Sequence, residues 1–422
     1  MTASGSFFDE LETRSADARQ AALSNTLPAQ IGLAREKSAA YAELLSDVAA
    51  QDVVDMEALS HLPVTRKSAL IELQKDKPPF GGFPAVGPGA MAHIFASPGP
   101  IYEFETARHD FWGMARAFHA AGFRPGDVVH NSFAYHLTPG GWIFDGGARA
   151  LGCAVIPAGI GNTEMQAETI AHLRPSGFGG TPDYLKVILD KAQEMGADCS
   201  SITRALVSGG ALFPSLRQEY AERGVAVQQC YATADLGLIS YESRTDDGAL
   251  VEGMLVSESV LLEIVRPGTG DPVPEGEVGE VVVTTFNPDY PLVRFATGDL
   301  SAILPGASPC GRTNGRIKGW MGRADQTAKI KGMFVHPEQL DRVVKAHPEL
   351  LRARIVVTRE DESDVMSVLC ESETRDENLA GAIADSVQSF CKLRGKIVLQ
   401  APGELPNDGK VIDDQRDFEG AG

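Results

Sequence analysis

Apolar and polar positions alternate along the chain with different periods, and the changes of period mark its regions. From about residue 8 to 60 the pattern is helical and Ala/Leu-rich, with charges on one face. Leu62-Pro63-Val64-Thr65-Arg66-Lys67 then predicts a turn into another short helix, with Thr65 as its N-cap, and the Gly/Pro-rich stretch 78–88 predicts a loop. Ala92-His93-Ile94-Phe95-Ala96 is a short strand that runs into the turn Ser97-Pro98-Gly99-Pro100-Ile101-Tyr102-Glu103. Helices over 108–122, 140–151 (after Pro139 in the Gly-rich stretch 137–151), 164–173, 182–195 and 214–223 then alternate with strands over 127–133, 152–157, 177–180, 205–208 and 225–231. Such alternation predicts a mostly parallel sheet covered by helices, with ligands at the carboxyl ends of the strands.

The pattern then changes to β-rich segments, Ser259–Val265 and Gly279–Thr285 with Leu292–Phe295 following, separated by charged turns, which predicts a β-rich subdomain. A polar stretch, Gly322-Arg323-Ala324-Asp325-Gln326, precedes a further β-run from Ile330 to Val335. Beyond it a helix from His336 to about His347, strands 353–358 and 365–371, a helix 378–390 and a strand 397–399 make a small α+β body. The fold class expected is α/β. A large N-terminal domain over 1–323 holds mostly parallel sheets plus the β-rich part, and a small mobile α+β domain covers 324–422.

Composition narrows the function. A formal net charge of -19 without any Lys/Arg run excludes a nucleic-acid backbone as partner. No apolar run is long enough for a membrane span, and Met1 to Glu10 carries no basic-then-apolar leader pattern, so a cytoplasmic protein is expected. Six scattered cysteines without a CxxC point to reduced thiols rather than disulfides or a structural zinc.

Candidate chemistry falls at the strand ends. The turn with Ser97 and Gly99 has the shape of a phosphate cradle, yet Pro98 and Pro100 each remove an N–H, so the residues alone leave cradle and plain turn both open. Gly209-Gly210-Ala211 lets a flat ring lie against the main chain. Tyr231-Ala232-Thr233-Ala234-Asp235 offers an aromatic face, a hydroxyl and a carboxylate suited to Mg2+. Asp299 in Thr297-Gly298-Asp299 reads either as a ligand for two sugar hydroxyls or as a turn cap.

Gly159-Ile160-Gly161-Asn162-Thr163-Glu164-Met165-Gln166, Thr297-Gly298-Asp299, Cys310-Gly311-Arg312-Thr313 and the block from Gly322 to Pro337 follow one another in order. With these, the chain from about Leu62 to Lys410 resembles the adenylate-forming (acyl/aryl-CoA synthetase) enzymes, most closely the phenylacetate–CoA ligase branch. The resemblance implies activation of a carboxylic acid, aromatic by analogy, through an acyl-adenylate, with ATP, Mg2+ and coenzyme A, and a possible homodimer; some relatives carry a Cys/His metal cluster, but Ser240 to Gly253 contains no Cys or His, so no zinc is expected here. It implies that Gly209, Gly210 and Ala211 line the adenine and that Tyr231 stacks on it, with Ser97, Gly99, Ala232 and Thr233 also at the nucleotide. Asp299 would bind the ribose, Arg312 or Arg323 would lie near ribose and phosphate, and Asp235 would hold Mg2+. Asp325 would be the domain pivot, and Lys410, in Pro406-Asn407-Asp408-Gly409-Lys410, the adenylation lysine. Phe133, Ala134, Tyr135, His136, Gly140, Gly141 and Ile160 would line the acyl pocket, whereas Trp142 and Phe144 read as core.

Two departures from the family pattern affect phosphate handling. The usual Ser/Thr/Gly-rich loop ending in Gly-Lys is Ser97-Pro98-Gly99-Pro100-Ile101-Tyr102 here, and Tyr-Gly-x-Ser/Thr-Glu has become Tyr231-Ala232-Thr233-Ala234-Asp235. They keep a second reading in play, a non-catalytic nucleotide- or acyl-CoA-binding protein on the same scaffold. A third reading, acyl transfer to a carrier protein, is disfavoured because chain and acidic carrier would repel.

Overall fold

The computed structural model describes residues 6–97, 99–266, 270–324, 328–335, 337–360, 363–406 and 411–416. Asp325 and Lys410 lie outside these residues, as do Pro98 and His336. Two compact units part between Gly322 and Arg323.

The larger unit is built on a nine-stranded sheet, in the order Ile303–Leu304, Arg316–Ile317, Met254–Val256, Gly237–Tyr241, Ala226–Thr233, Arg204–Val207, Gly177–Gly180, Val128–Asn131, Ala154–Pro157. The strands from Ala226–Thr233 to Ala154–Pro157 run parallel, and the others join antiparallel. Helices Gly140–Ala150, Thr163–Leu173, Pro182–Met195 and Pro214–Glu222 make the crossovers. Pro182 and Pro214 sit in the first turns, where a missing N–H costs nothing, and Gly196 ends its helix at φ +68°. Strand Gly177–Gly180 passes through solid core: a Cβ on Gly177 would stand 2.2 Å from the Phe123 ring.

A second sheet, in the order Thr65–Arg66, Phe295–Ser301, Gly279–Thr285, Val260–Val265, forms the expected β-rich part. Every residue of Gly279–Thr285 is buried. Behind it, buried Arg294 spends five N–H bonds on the Glu263 carboxylate and the carbonyls of Ser60, Leu62 and Gly270. In the smaller unit a sheet in the order Lys396–Gln400, Ser363–Ser372, Leu350–Glu360, Ile412–Asp414 packs against helices Pro337–Ala346 and Glu377–Cys391.

Four local expectations are corrected. Regular helix within 108–122 covers only Ala115–Ala120, because Asp110 (φ +50°) and Gly113 (φ +70°) adopt left-handed backbone that no α-helix accommodates. Thr65 caps no helix; it opens a strand whose first N–H donates to the Arg294 carbonyl. The run Ile330–Val335 is split by Lys331 (φ +48°) and Gly332 (φ +82°) into the hairpin Ala328–Ile330 and Met333–Val335, as a two-residue turn requires. The strand read at Leu292–Phe295 begins instead at Phe295 and continues to Ser301.

Candidate active site

Thr297-Gly298-Asp299 does not end its strand. The register passes from Val282↔Ala296 to Glu280↔Leu300, so the triplet bulges out of the ladder, with Gly298 at φ +76°. A bulge re-aims a side chain. Here it presents the Asp299 carboxylate, which accepts from the Tyr231 hydroxyl at 2.6 Å and from Trp320 Nε1 at 2.9 Å. Tyr231 lies near the end of Ala226–Thr233, and Asp235 follows in the tight turn to Gly237–Tyr241. The Thr233 hydroxyl accepts from Leu236 N within that turn, and Trp112 Nε1 donates to the Ala234 carbonyl. Tyr231, Asp235 and Asp299 are therefore delivered by two different sheets.

Lys67 and Glu103, to which sequence reasoning gave no role, complete the group. Strand Thr65–Arg66 runs parallel to Phe295–Ala296, which carries Lys67 to the level of the Asp299 bulge. Its ammonium donates to Asp235 Oδ2. Burial pulls the Lys67 pKa down, but the attraction of Asp235 and Glu103 outweighs it and holds the ammonium above its ordinary value. Glu103 sits on the hairpin Met91–Ser97/Ile101–Thr106, where the Ser97 hydroxyl donates to its Oε1 at 2.8 Å. Burial, and then the Asp235 charge, raise the Glu103 carboxyl to about 8 against the pull of Lys67 and Ser97. Ser97 thus serves a carboxylate, and Gly99 lies in the hairpin turn beside it.

Gly209 (φ +74°), Gly210 and Ala211 form the loop after Arg204–Val207. A Cβ on Gly209 would stand 3.6 Å from the Phe133 ring, and one on Gly140 3.5 Å from the same ring. Phe133 therefore joins the glycine loop to the expected acyl pocket. Asn131 Nδ2 donates to the Tyr135 hydroxyl (2.7 Å) and the Gly141 carbonyl (2.8 Å), while Trp142 Nε1 donates to the Tyr135 carbonyl. Ala134 accepts from Gly141 N at 2.8 Å. His136 and Ile160 are exposed. Trp142, read as core, is only partly buried and stacks on His93 with centroids 4.1 Å apart; Phe144 is core.

A Cβ on Gly141 would lie 2.7 Å from the Tyr135 ring and 2.8 Å from the Ala134 carbonyl oxygen. Gly141→Ala must displace Tyr135, and roughly tenfold lower kcat/KM for an aromatic acid is expected, with AMP affinity unchanged. Steady-state kinetics beside AMP titration check this; unaltered kinetics would remove Tyr135 from the pocket.

One arginine is not gathered with these groups. Arg312 is held by Glu12 Oε2 at 3.0 Å and the Ser6 carbonyl, within a buried network that includes Arg116 and Tyr241. None of its described partners is Tyr231, Asp235 or Asp299. Arg323 belongs to the smaller unit, its guanidinium 5.8 Å from the Phe334 ring centroid.

Residues 112–287 match the AMP-binding enzyme family. A phenylacetate–coenzyme A ligase of Thermus thermophilus is 30% identical over 94% of this chain and 96% of its own. One from Escherichia coli is 30% identical over 86% and 84%. The chain belongs to the adenylate-forming enzymes, in the phenylacetate–CoA ligase branch. It is an AMP-forming acid–thiol ligase. A 2-hydroxyisobutyryl-CoA ligase structure in its thioesterification state has the same fold, with a TM-score of 0.81, 24% identity, and 99% of this chain and 94% of that one covered.

An adenylate-forming enzyme implies Mg2+ beside the ATP phosphates. The donor set fits: Asp235 is 4% exposed, and its Oδ1 has no hydrogen-bond partner among the described residues. Mg2+ takes one or two carboxylates and completes its shell with phosphate and water. Lys67 lies in the predicted turn after Leu62 and Glu103 ends the predicted turn after Ser97, but nothing local near Lys67 tells of a charge partner 168 residues away in sequence.

Proposed function

We propose that this ligase activates an aromatic carboxylic acid of the arylacetic type and transfers it to coenzyme A. The observation that supports the reading is the Tyr231–Asp299 hydrogen bond together with the Phe133 ring lying beside the glycine loop. The names of the curated relatives, phenylacetate–coenzyme A ligases, support the substrate class.

In the first step a carboxylate oxygen of the acid attacks the α-phosphorus of ATP and pyrophosphate leaves. Gly209, Gly210 and Ala211 flank the adenine, Tyr231 faces it, and Asp299 takes the ribose hydroxyls. Mg2+, when bound, neutralises charge on the phosphate oxygens. Lys410 supplies the fixed cation for charge that develops at the α-phosphate. In the second step the CoA sulfur attacks the acyl carbon and AMP leaves, with Asp325 as the pivot for the change of conformation.

Tyr231 and Trp320 both donate to Asp299, which fixes the carboxylate before any nucleotide arrives. Asp299→Asn is expected to weaken AMP binding roughly 10- to 100-fold, the range for losing hydrogen bonds to a charged group. Calorimetric titration measures it, and an unchanged Kd would take Asp299 out of the ribose site.

The substrate class is tested by acyl-CoA formation with phenylacetate, benzoate, 2-hydroxyisobutyrate and octanoate under matched conditions. The highest kcat/KM is expected with phenylacetate. Turnover of the aliphatic acids with none of the aromatic ones would overturn the aromatic assignment.

A further inference from the structure

Two buried carboxylate oxygens in the active site bind nothing among the described residues: Asp235 Oδ1 and Glu103 Oε2. Glu103 is fully buried and Asp235 nearly so. Each carboxylate is anchored by its other oxygen, Asp235 Oδ2 by the Lys67 ammonium and Glu103 Oε1 by the Ser97 hydroxyl. Both thus have one oxygen fixed and one to offer. The hydroxyl of Tyr290, 2% exposed, also has no described partner, and both carboxylates act on it electrostatically.

Charge makes the same demand. Among the described residues, the Lys67 ammonium faces Glu103, Asp235 and Asp299 together. A nucleoside triphosphate brings several further negative charges. At low effective dielectric, like charges at close range repel strongly, so this group disfavours a bare polyphosphate. A hard divalent cation resolves both the surplus charge and the unpartnered oxygens.

We propose that Glu103 joins Asp235 as a second carboxylate ligand of a divalent cation, making a two-carboxylate Mg2+ site that the phosphates of ATP complete. This rests on the ATP-dependent reading of the site. The hairpin that lacks the family's lysine and threonines thereby supplies a metal ligand instead of phosphate donors. Among the described residues no cluster of three or more His, Cys, Asp or Glu side chains could cage a metal unaided. The remaining ligands would come from the substrate phosphates and water, as Mg2+ prefers.

The test uses Mn2+ as probe, with binding to the full chain followed by electron paramagnetic resonance, with and without α,β-methylene-ATP. Wild type is expected to bind Mn2+, more tightly with the nucleotide. Glu103→Gln, nearly isosteric, is expected to weaken it at least tenfold, and Ser97→Ala a few-fold through loss of the hydroxyl that orients Glu103. Wild-type affinity in Glu103→Gln, or no Mn2+ binding by the wild type, overturns the proposal. If Glu103→Gln does not fold, Ser97→Ala decides, and unchanged affinity there overturns it as well. Acyl-CoA formation is assayed separately. Unaltered Mn2+ affinity in a variant that still makes acyl-CoA rejects the metal site alone, whereas Glu103-dependent Mn2+ binding in a protein that makes none keeps the site and rejects the ligase reading.

Discussion

Lys410→Ala is expected to lower acid-dependent pyrophosphate release by about 10^2- to 10^3-fold, the usual loss when one fixed electrostatic donor to a transition state is removed. The attack on the α-phosphorus concentrates negative charge on its oxygens, and the departures around Ser97 and Asp235 leave few other donors in this chain to share it. In the same variant, acyl-adenylate supplied ready-made is still converted to the CoA thioester, because that step expels AMP and has no need of the same cation. Single-turnover kinetics on the two half-reactions separate these outcomes. Equal loss in both would mean that Lys410 supports the fold or the acid rather than adenylation.

Arg294→Ala is expected to cost about 3–5 kcal/mol of stability, the range for breaking a buried ion pair by removing one partner. Arg294 is 2% exposed, and its five N–H bonds tie Glu263, Ser60, Leu62 and Gly270 together. Truncation strands the Glu263 carboxylate and three carbonyls without donors. Urea unfolding of the variant measures the loss; a change below about 1 kcal/mol would contradict this account. The double change Arg294→Met with Glu263→Leu recovers most of the stability, since an apolar pair of similar volume needs no donors.

What the sequence made legible was periodic and local. Helix Pro182–Met195 and strand Gly177–Gly180 fall at the residues the pattern predicts, because proline opens the helix, glycine closes it, and the strand is short and apolar. The order of motifs was enough to identify the family. Features that depend on tertiary register were not legible. The bulge at Thr297-Gly298-Asp299 exists because Gly279–Thr285 pairs on both sides of it, which no local pattern reveals. Lys331 in left-handed backbone is a turn that its residue type does not announce. Glu103 looked like one more polar residue at the end of a turn; only the arrival of Asp235, Lys67 and Ser97 around it makes it chemistry.

The loss of the lysine and threonines from the hairpin at Ser97 does not leave the phosphate region empty of function. It is lined instead by a lysine from the strand beside Asp299 and by two carboxylates with oxygens to spare. With the proposed metal site, divalent cation would be a condition of ATP binding, not an accessory to it.

Exchange of labelled pyrophosphate into ATP, in the presence of Mg2+ and phenylacetate and without CoA, tests the central claim most directly. The reaction reports the adenylation step alone. Exchange that requires the acid and is absent in Lys410→Ala is the result this account predicts. No exchange with phenylacetate or any other acid, from a protein that still binds AMP, would contradict it.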